Sequence, residues 1–77
     1  MIVDIITPDT ELFSGEATAV TVPGIDGSLG ILNNHAPLIS ALKKGEVKVS
    51  TSEGEKKFEI KGGVAEVLKN KVIILAE

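Results

Sequence analysis

The chain has 77 residues, a formal net charge of −3, no cysteine, no tryptophan and no tyrosine. That length supports one domain, residues 1–77, near the lower limit for a self-sufficient core. The missing cysteines exclude disulfides and thiolate metal sites, and the acidic balance argues against nucleic acid as a ligand.

Charge is unevenly spread. Residues 1–42 carry five acids (Asp4, Asp9, Glu11, Glu16, Asp26) and no base, whereas residues 43–77 carry eight lysines against six acids. Every base is Lys. The absence of Arg weakens any phosphate-clamping reading, because the planar guanidinium fork is the usual choice there. No apolar run approaches the ~18 residues of a membrane span, so no transmembrane segment is expected. The N-terminus lacks the basic start of a signal peptide.

In chain order, Ile2–Thr7 is β-branched and nearly continuous, a strand signal with Val3, Ile5 and Thr7 on one face. Pro8-Asp9 marks a turn. Glu11–Ser14 is a short apolar patch ended by Gly15. Ala17–Val22 alternates, with Thr18, Val20 and Val22 on one face, and Pro23-Gly24 ends it. Gly24–Gly27 forms a loop, Ser28–Leu32 a short strand, and Asn33-Asn34-His35 a polar turn. Pro37–Lys44 has helix-spaced Leu38, Ile39 and Leu42, yet it is short and every neighbouring segment reads as strand. Strand or irregular backbone is expected.

Gly45–Ser52 is a strand with Val47 and Val49 inward. Glu53-Gly54 closes a hairpin onto Glu55–Lys61, with Phe58 and Ile60 inward. That register sets Lys48 against a carboxylate. The Ser52–Glu55 match to a helix capping box leads into no helical run and is rejected. Gly62-Gly63 signals a bulge, a bend or a close backbone approach. Val64–Leu68 and Val72–Ala76 are the closing strands, joined at Lys69–Lys71 with Asn70 suited to a left-handed turn position. The class expected is all-β, a sandwich or barrel of eight or so short strands.

No motif carries chemistry. His35 has no serine in a Gly-x-Ser-x-Gly elbow to work with. One histidine does not make a zinc site, and Asp26 alone is too little for calcium. Gly24-x-x-Gly27-x-x-Gly30 is not a dinucleotide fingerprint. Residue by residue, the reading stops at a small acidic β-sandwich, a free-standing binding or adaptor module, with no catalytic residue, metal or cofactor assigned.

At Ser28-Leu-Gly-Ile-Leu-Asn-Asn-His-Ala-Pro-Leu38 the chain resembles the N-terminal β-sandwich domain of the epsilon subunit of F-type ATP synthases. Asp4-Ile-Ile-Thr-Pro8 with Leu12-Phe-Ser-Gly15, Ala41-Leu-Lys-x-Gly45, and Gly62-Gly-Val-x-Glu-Val67 with Val72–Ala76 are similar to that family in one register. The resemblance implies a flattened sandwich of about 8–10 short, mostly antiparallel strands, and a non-catalytic rotor subunit of the central stalk. Such a subunit links gamma to the membrane c-ring and so couples proton flow to ATP synthesis. It implies a peripheral membrane location on the cytoplasmic face of a bacterial inner membrane. It also implies that Gly24, Ile25, Asp26, Gly27, Ser28, Asn34 and His35 face the c-ring loops, and that Thr7, Ala36, Leu38, Glu46 and Lys61 face gamma. Leu38 is the expected apolar anchor. Ser28 stands where some members carry an acid that touches the ring, so that contact would fall to Asp26 or to backbone. Asn33 stands where many members have Pro, so a looser turn is expected. The chain ends at Glu77, so the family's C-terminal helical hairpin, its inhibition and its ATP site are expected to be absent.

Overall fold

A computed structural model describes residues 1–77 as nine strands and no helix. They are β1 (Ile2–Ile6), β2 (Glu11–Glu16), β3 (Ala19–Gly24), β4 (Gly27–Leu32), β5 (Leu38–Leu42), β6 (Gly45–Thr51), β7 (Gly54–Ile60), β8 (Gly63–Leu68) and β9 (Lys71–Ala76). The hydrogen-bonded path runs β2-β1-β9-β8-β5-β3-β6-β7, with β4 beside β3. Between β5 and β3 the path hinges on one pairing, Gly24 with Leu42. The strands therefore divide into two leaves, β2-β1-β9-β8-β5 and β4-β3-β6-β7. All pairings are antiparallel except β1 with β9.

Alternation fills the space between the leaves. Val3, Ile5, Val72 and Ile74 project from one, Val20, Val22, Ile31, Val47 and Val49 from the other, and all are essentially inaccessible to water. No polar side chain is fully buried. Each such aliphatic contributes roughly 1.5–3 kcal/mol by leaving water. The two aromatic residues lie at one side instead. Phe13 on β2 and Phe58 on β7 stand 5.8 Å apart between ring centroids. They close the seam between those two edge strands, with the Lys56 ammonium over the Phe13 ring.

Several local expectations need correction. The patch at Glu11–Ser14 is a full strand that continues through Gly15 to Glu16. β3 starts at Ala19, so Thr18 lies outside it and is exposed, and it runs on through Pro23 and Gly24. Pro23 is tolerated because its imide nitrogen occupies a position that donates nothing to β4, while its carbonyl accepts from the Lys43 N–H at 2.9 Å. The helix-or-strand ambiguity at Pro37–Lys44 resolves to a strand, since Leu38–Leu42 pairs along its length with β8.

The β6–β7 turn is Ser52-Glu53, flanked by paired Thr51 and Gly54. It lies one residue earlier than expected, which shifts the register by two. Lys48 therefore faces Lys57, not a carboxylate, and Glu46 faces Glu59. The sign alternates from one cross-strand pair to the next, so each like pair has opposite charges on its diagonals.

Gly63 takes φ 141° and sits between Leu42 and Ala76. A Cβ there would run into the Leu75 carbonyl oxygen, which is why a residue without one stands at this close approach. The β8–β9 turn uses Lys69 and Asn70, both at positive φ, as a two-residue hairpin demands.

Candidate functional site: two faces of the sandwich

The first candidate surface is the side built by β4 and β5. The Ile25-Asp26 turn joins β3 to β4 and is pinned to β5 by the Ile25 N–H, which donates to the Ala41 carbonyl at 3.1 Å. Gly24–Leu29 and Leu38–Ala41 line an open cleft of about 450 Å³ between the two leaves. Leu29 and Leu38 form its apolar floor against the core, and Asp26 is the only charge in its lining.

At the far end of β4 lies the Asn33–His35 loop. It is tied on both sides, contrary to the looser turn expected from the missing proline. The N-terminal ammonium donates to Asn33 Oδ1 at 2.7 Å, and the Asn34 N–H donates to Asn70 Oδ1 at 2.8 Å. The His35 ring stands 2.8 Å from the Ala36 carbonyl through Nδ1, with no serine hydroxyl among its hydrogen-bond partners. Gly24–Ser28 and Asn34–His35 thus mark opposite ends of β4, about 17 Å apart at the usual strand rise. One partner reaching both must lie along the strand.

The second surface is the outer face of the β1-β9-β8-β5 leaf. Register aligns Ile6, Leu75, Val64 and Ala41 in one row across four strands. The next row is Asp4, Ile73, Glu66 and Ile39, and the third is Ile2, Lys71 and Leu68. Leu75 is 55% exposed and Ile39 72%. Of the two acids in this face Asp4 is partnered, 3.6 Å from the Lys71 ammonium and accepting from Ser14 Oγ at 2.7 Å, whereas Glu66 is exposed.

The residues expected to face gamma are spread over the fold. Thr7, Glu46 and Lys61 lie around the end where Leu42, Gly45, Gly63 and Ala76 meet. Ala36 and Leu38 lie toward the opposite end of β5. Leu38 is half-buried and turned toward the core, and its neighbour Ile39 is the side chain that stands out. Sequence reasoning passed over the outer apolar rows. Their signal was present, because Val72–Ala76 is apolar on both faces and Ile2–Ile6 is so except at Asp4, as strands covered on both sides are.

The family model described as ATP synthase, Delta/Epsilon chain, beta-sandwich domain matches residues 1–77. The chain belongs to this family. It is 51% identical over 75 residues to the ATP synthase epsilon chain of Chlorobium limicola, covering 96% of this chain and 85% of that one. To the epsilon chain of Dichelobacter nodosus it is 46% identical over 74 residues, covering 95% of this chain and 52% of that one. A chain in the Euglena gracilis mitochondrial ATP synthase OSCP/F1/c-ring structure superposes with TM-score 0.90 at 25% identity, over 99% of this chain and 49% of its own length. A chain of the Tetrahymena thermophila central stalk/c-ring structure shares the fold at TM-score 0.84 and 22% identity.

The role that follows is that of an ATP synthase epsilon subunit, a non-catalytic component of a membrane-bound complex. The β-sandwich of that family is the architecture seen here. No helix is long and apolar enough to cross a membrane.

Proposed function

We propose that residues 1–77 act as one rotor body in the central stalk. Gamma is held on the outer face of the β1-β9-β8-β5 leaf, and the c-ring loops are met along β4. The observation that carries this reading is the apolar row Ile6–Leu75–Val64–Ala41, which crosses four strands and leaves Leu75 more than half exposed and Ile6 and Val64 more than a third. Covering the exposed part of each large side chain in such a row gains about 1 kcal/mol apiece. A gamma subunit covering this face with a polar rim fits the anatomy of stable interfaces. Thr7 and Lys61 sit at one end of the face, and Ala36 and Leu38 border it through β5.

On the β4 side, Gly24, Ile25, Asp26, Gly27 and Ser28 offer an acidic turn at one end, and Asn34 and His35 a polar loop at the other. Both suit polar ring loops at the surface of a bacterial inner membrane, on its cytoplasmic face. A rigid sandwich gripping both partners transmits torque between them, so proton flow through the ring drives the catalytic head. No cofactor enters this role.

The test is Leu75→Lys, with binding to purified gamma measured by calorimetry. The side chain is more than half exposed, so the melting temperature should stay within about 3 °C. Affinity should fall at least about tenfold, or about 1.4 kcal/mol. Unchanged affinity in the folded variant would refute the assignment of this face.

A further inference from the structure

Three strands, β2, β7 and β4, have an edge with no neighbour at all, and they are not alike; the β3-facing edge of β5 is held only around the Gly24–Leu42 pairing. Edges in natural proteins are blocked by charge, bulges or irregular backbone, because an open edge invites another strand. β7 carries Glu55, Lys56, Lys57 and Glu59 within seven residues. β2 begins and ends with Glu11 and Glu16, and a register shift interrupts its pairing with β1 between Ile5 and Ile6. Phe13 and Phe58 also bring those two edges together.

β4 has none of these protections. Its six residues, Gly-Ser-Leu-Gly-Ile-Leu, hold no charge and no proline, and it pairs without a shift along its whole length with β3. The pairing also fixes which groups are free. Gly24 turns its own N–H and C=O away from β5, since the bonds there run from Ile25 to Ala41 and from Lys43 to Pro23. Gly24 therefore bonds to Gly27. By alternation Leu29 and Ile31 also bond to β3, while the N–H and C=O groups of Ser28, Gly30 and Leu32 point outward. None of these six groups has a hydrogen-bond partner in the chain outside the β3 ladder. They stand at the lip of the cleft floored by Leu29 and Leu38, with Asp26 at one end.

We infer that β4 is completed by an extended segment of a neighbouring subunit, which adds to the β4-β3-β6-β7 leaf as a further strand. Main-chain bonds to Ser28, Gly30 and Leu32 give such a segment its hold. The floor selects apolar side chains at alternate positions, and Asp26 selects a basic residue beside the β3–β4 turn. The acidic, base-free character of residues 1–42 favours the same partner charge. This inference rests on the reading that the β4 side faces another subunit of the complex, and it specifies how that contact is made.

The experiment compares amide hydrogen exchange of Ser28, Gly30 and Leu32 in the isolated chain and in the assembled ATP synthase. In the isolated chain these three should exchange nearly as fast as exposed loop amides. In the complex they should slow by about 100-fold, while Leu29 and Ile31 stay protected in both. Gly30→Pro removes an outward N–H without breaking the ladder, and no atom lies within 4 Å of the Cβ position there. With a native melting temperature it should leave the complex about tenfold more readily, and Gly30→Ala should not.

Free exchange of the three amides within the complex would overturn the inference whatever becomes of the proline variant. So would a folded Gly30→Pro chain that holds as well as the natural one. Protection that rises with concentration in the isolated chain would make a second copy the occupant and overturn it equally. A natural chain that never enters the complex would overturn the subunit reading and this one together.

Discussion

Replacing Gly63 by alanine tests the close approach of β8 and β9. The residue sits at φ 141°, where L side chains are strained, and such strain costs about 1–3 kcal/mol. The new methyl would meet the Leu75 carbonyl oxygen and lie 3.0 Å from the Ala76 Cα. Neither neighbour can yield cheaply, because both are backbone in a strand pairing Gly63 to Ala76, with Leu42 on the other side. Overpacking of this kind adds about 1–3 kcal/mol, so Gly63→Ala should lose about 2–6 kcal/mol in all. A chain of this length has about 4–12 kcal/mol to lose, and the loss corresponds to a melting temperature lower by at least ~10 °C. The assay is equilibrium urea unfolding followed by far-ultraviolet circular dichroism, with Gly30→Ala as the companion. Gly30 has open space where its Cβ would be, so that change should stay within about 1 kcal/mol of the natural chain. A Gly63→Ala protein within about 0.5 kcal/mol of the natural one would refute the close-approach argument.

Two further outcomes bear on how the sandwich is held. Phe13→Ala and Phe58→Ala should couple by about 0.5–1.5 kcal/mol in a double-mutant cycle, since the rings contact each other across the seam. Asn33→Ala should cost about 1–2 kcal/mol and speed amide exchange at Asn34, because it removes a bond to the N-terminal ammonium. Additive phenylalanine effects, or an Asn33→Ala chain with unchanged loop exchange, would count against these contacts.

Much of this fold is written in simple alternation. Val3 and Ile5, and Val20 and Val22, read as sharing a face, Val47 and Val49 read as inward, and all six are buried in the structure. Registers were harder, because they depend on where a turn starts. A one-residue difference at Ser52-Glu53 put Lys48 against Lys57. Pro23 looked like a stop, yet only its bonding parity decides whether a strand survives it, and parity follows from partners remote in sequence. The same remoteness hid the outer apolar face. Ile6, Leu75, Val64 and Ala41 are scattered along the chain and become a row only once β1, β9, β8 and β5 are side by side. The resemblance placed residues on two faces, but spacing along the chain gave no measure of how far β4 separates Gly24–Ser28 from Asn34–His35.

The one parallel pairing also has a consequence in time. β1 lies between β2 and β9, with Val3 opposite Val72 and Ile5 opposite Ile74. β1 can hairpin with β2 as soon as both are free to fold. Its other flank stays open until β9 is in place. Closing a loop that spans nearly the whole chain precedes any benefit from that pairing, which makes folding slow for a domain of this size, in the millisecond-to-second range typical of non-local β topologies. Until β9 pairs with it, β1 therefore presents an apolar strand edge, the kind of surface that invites another strand.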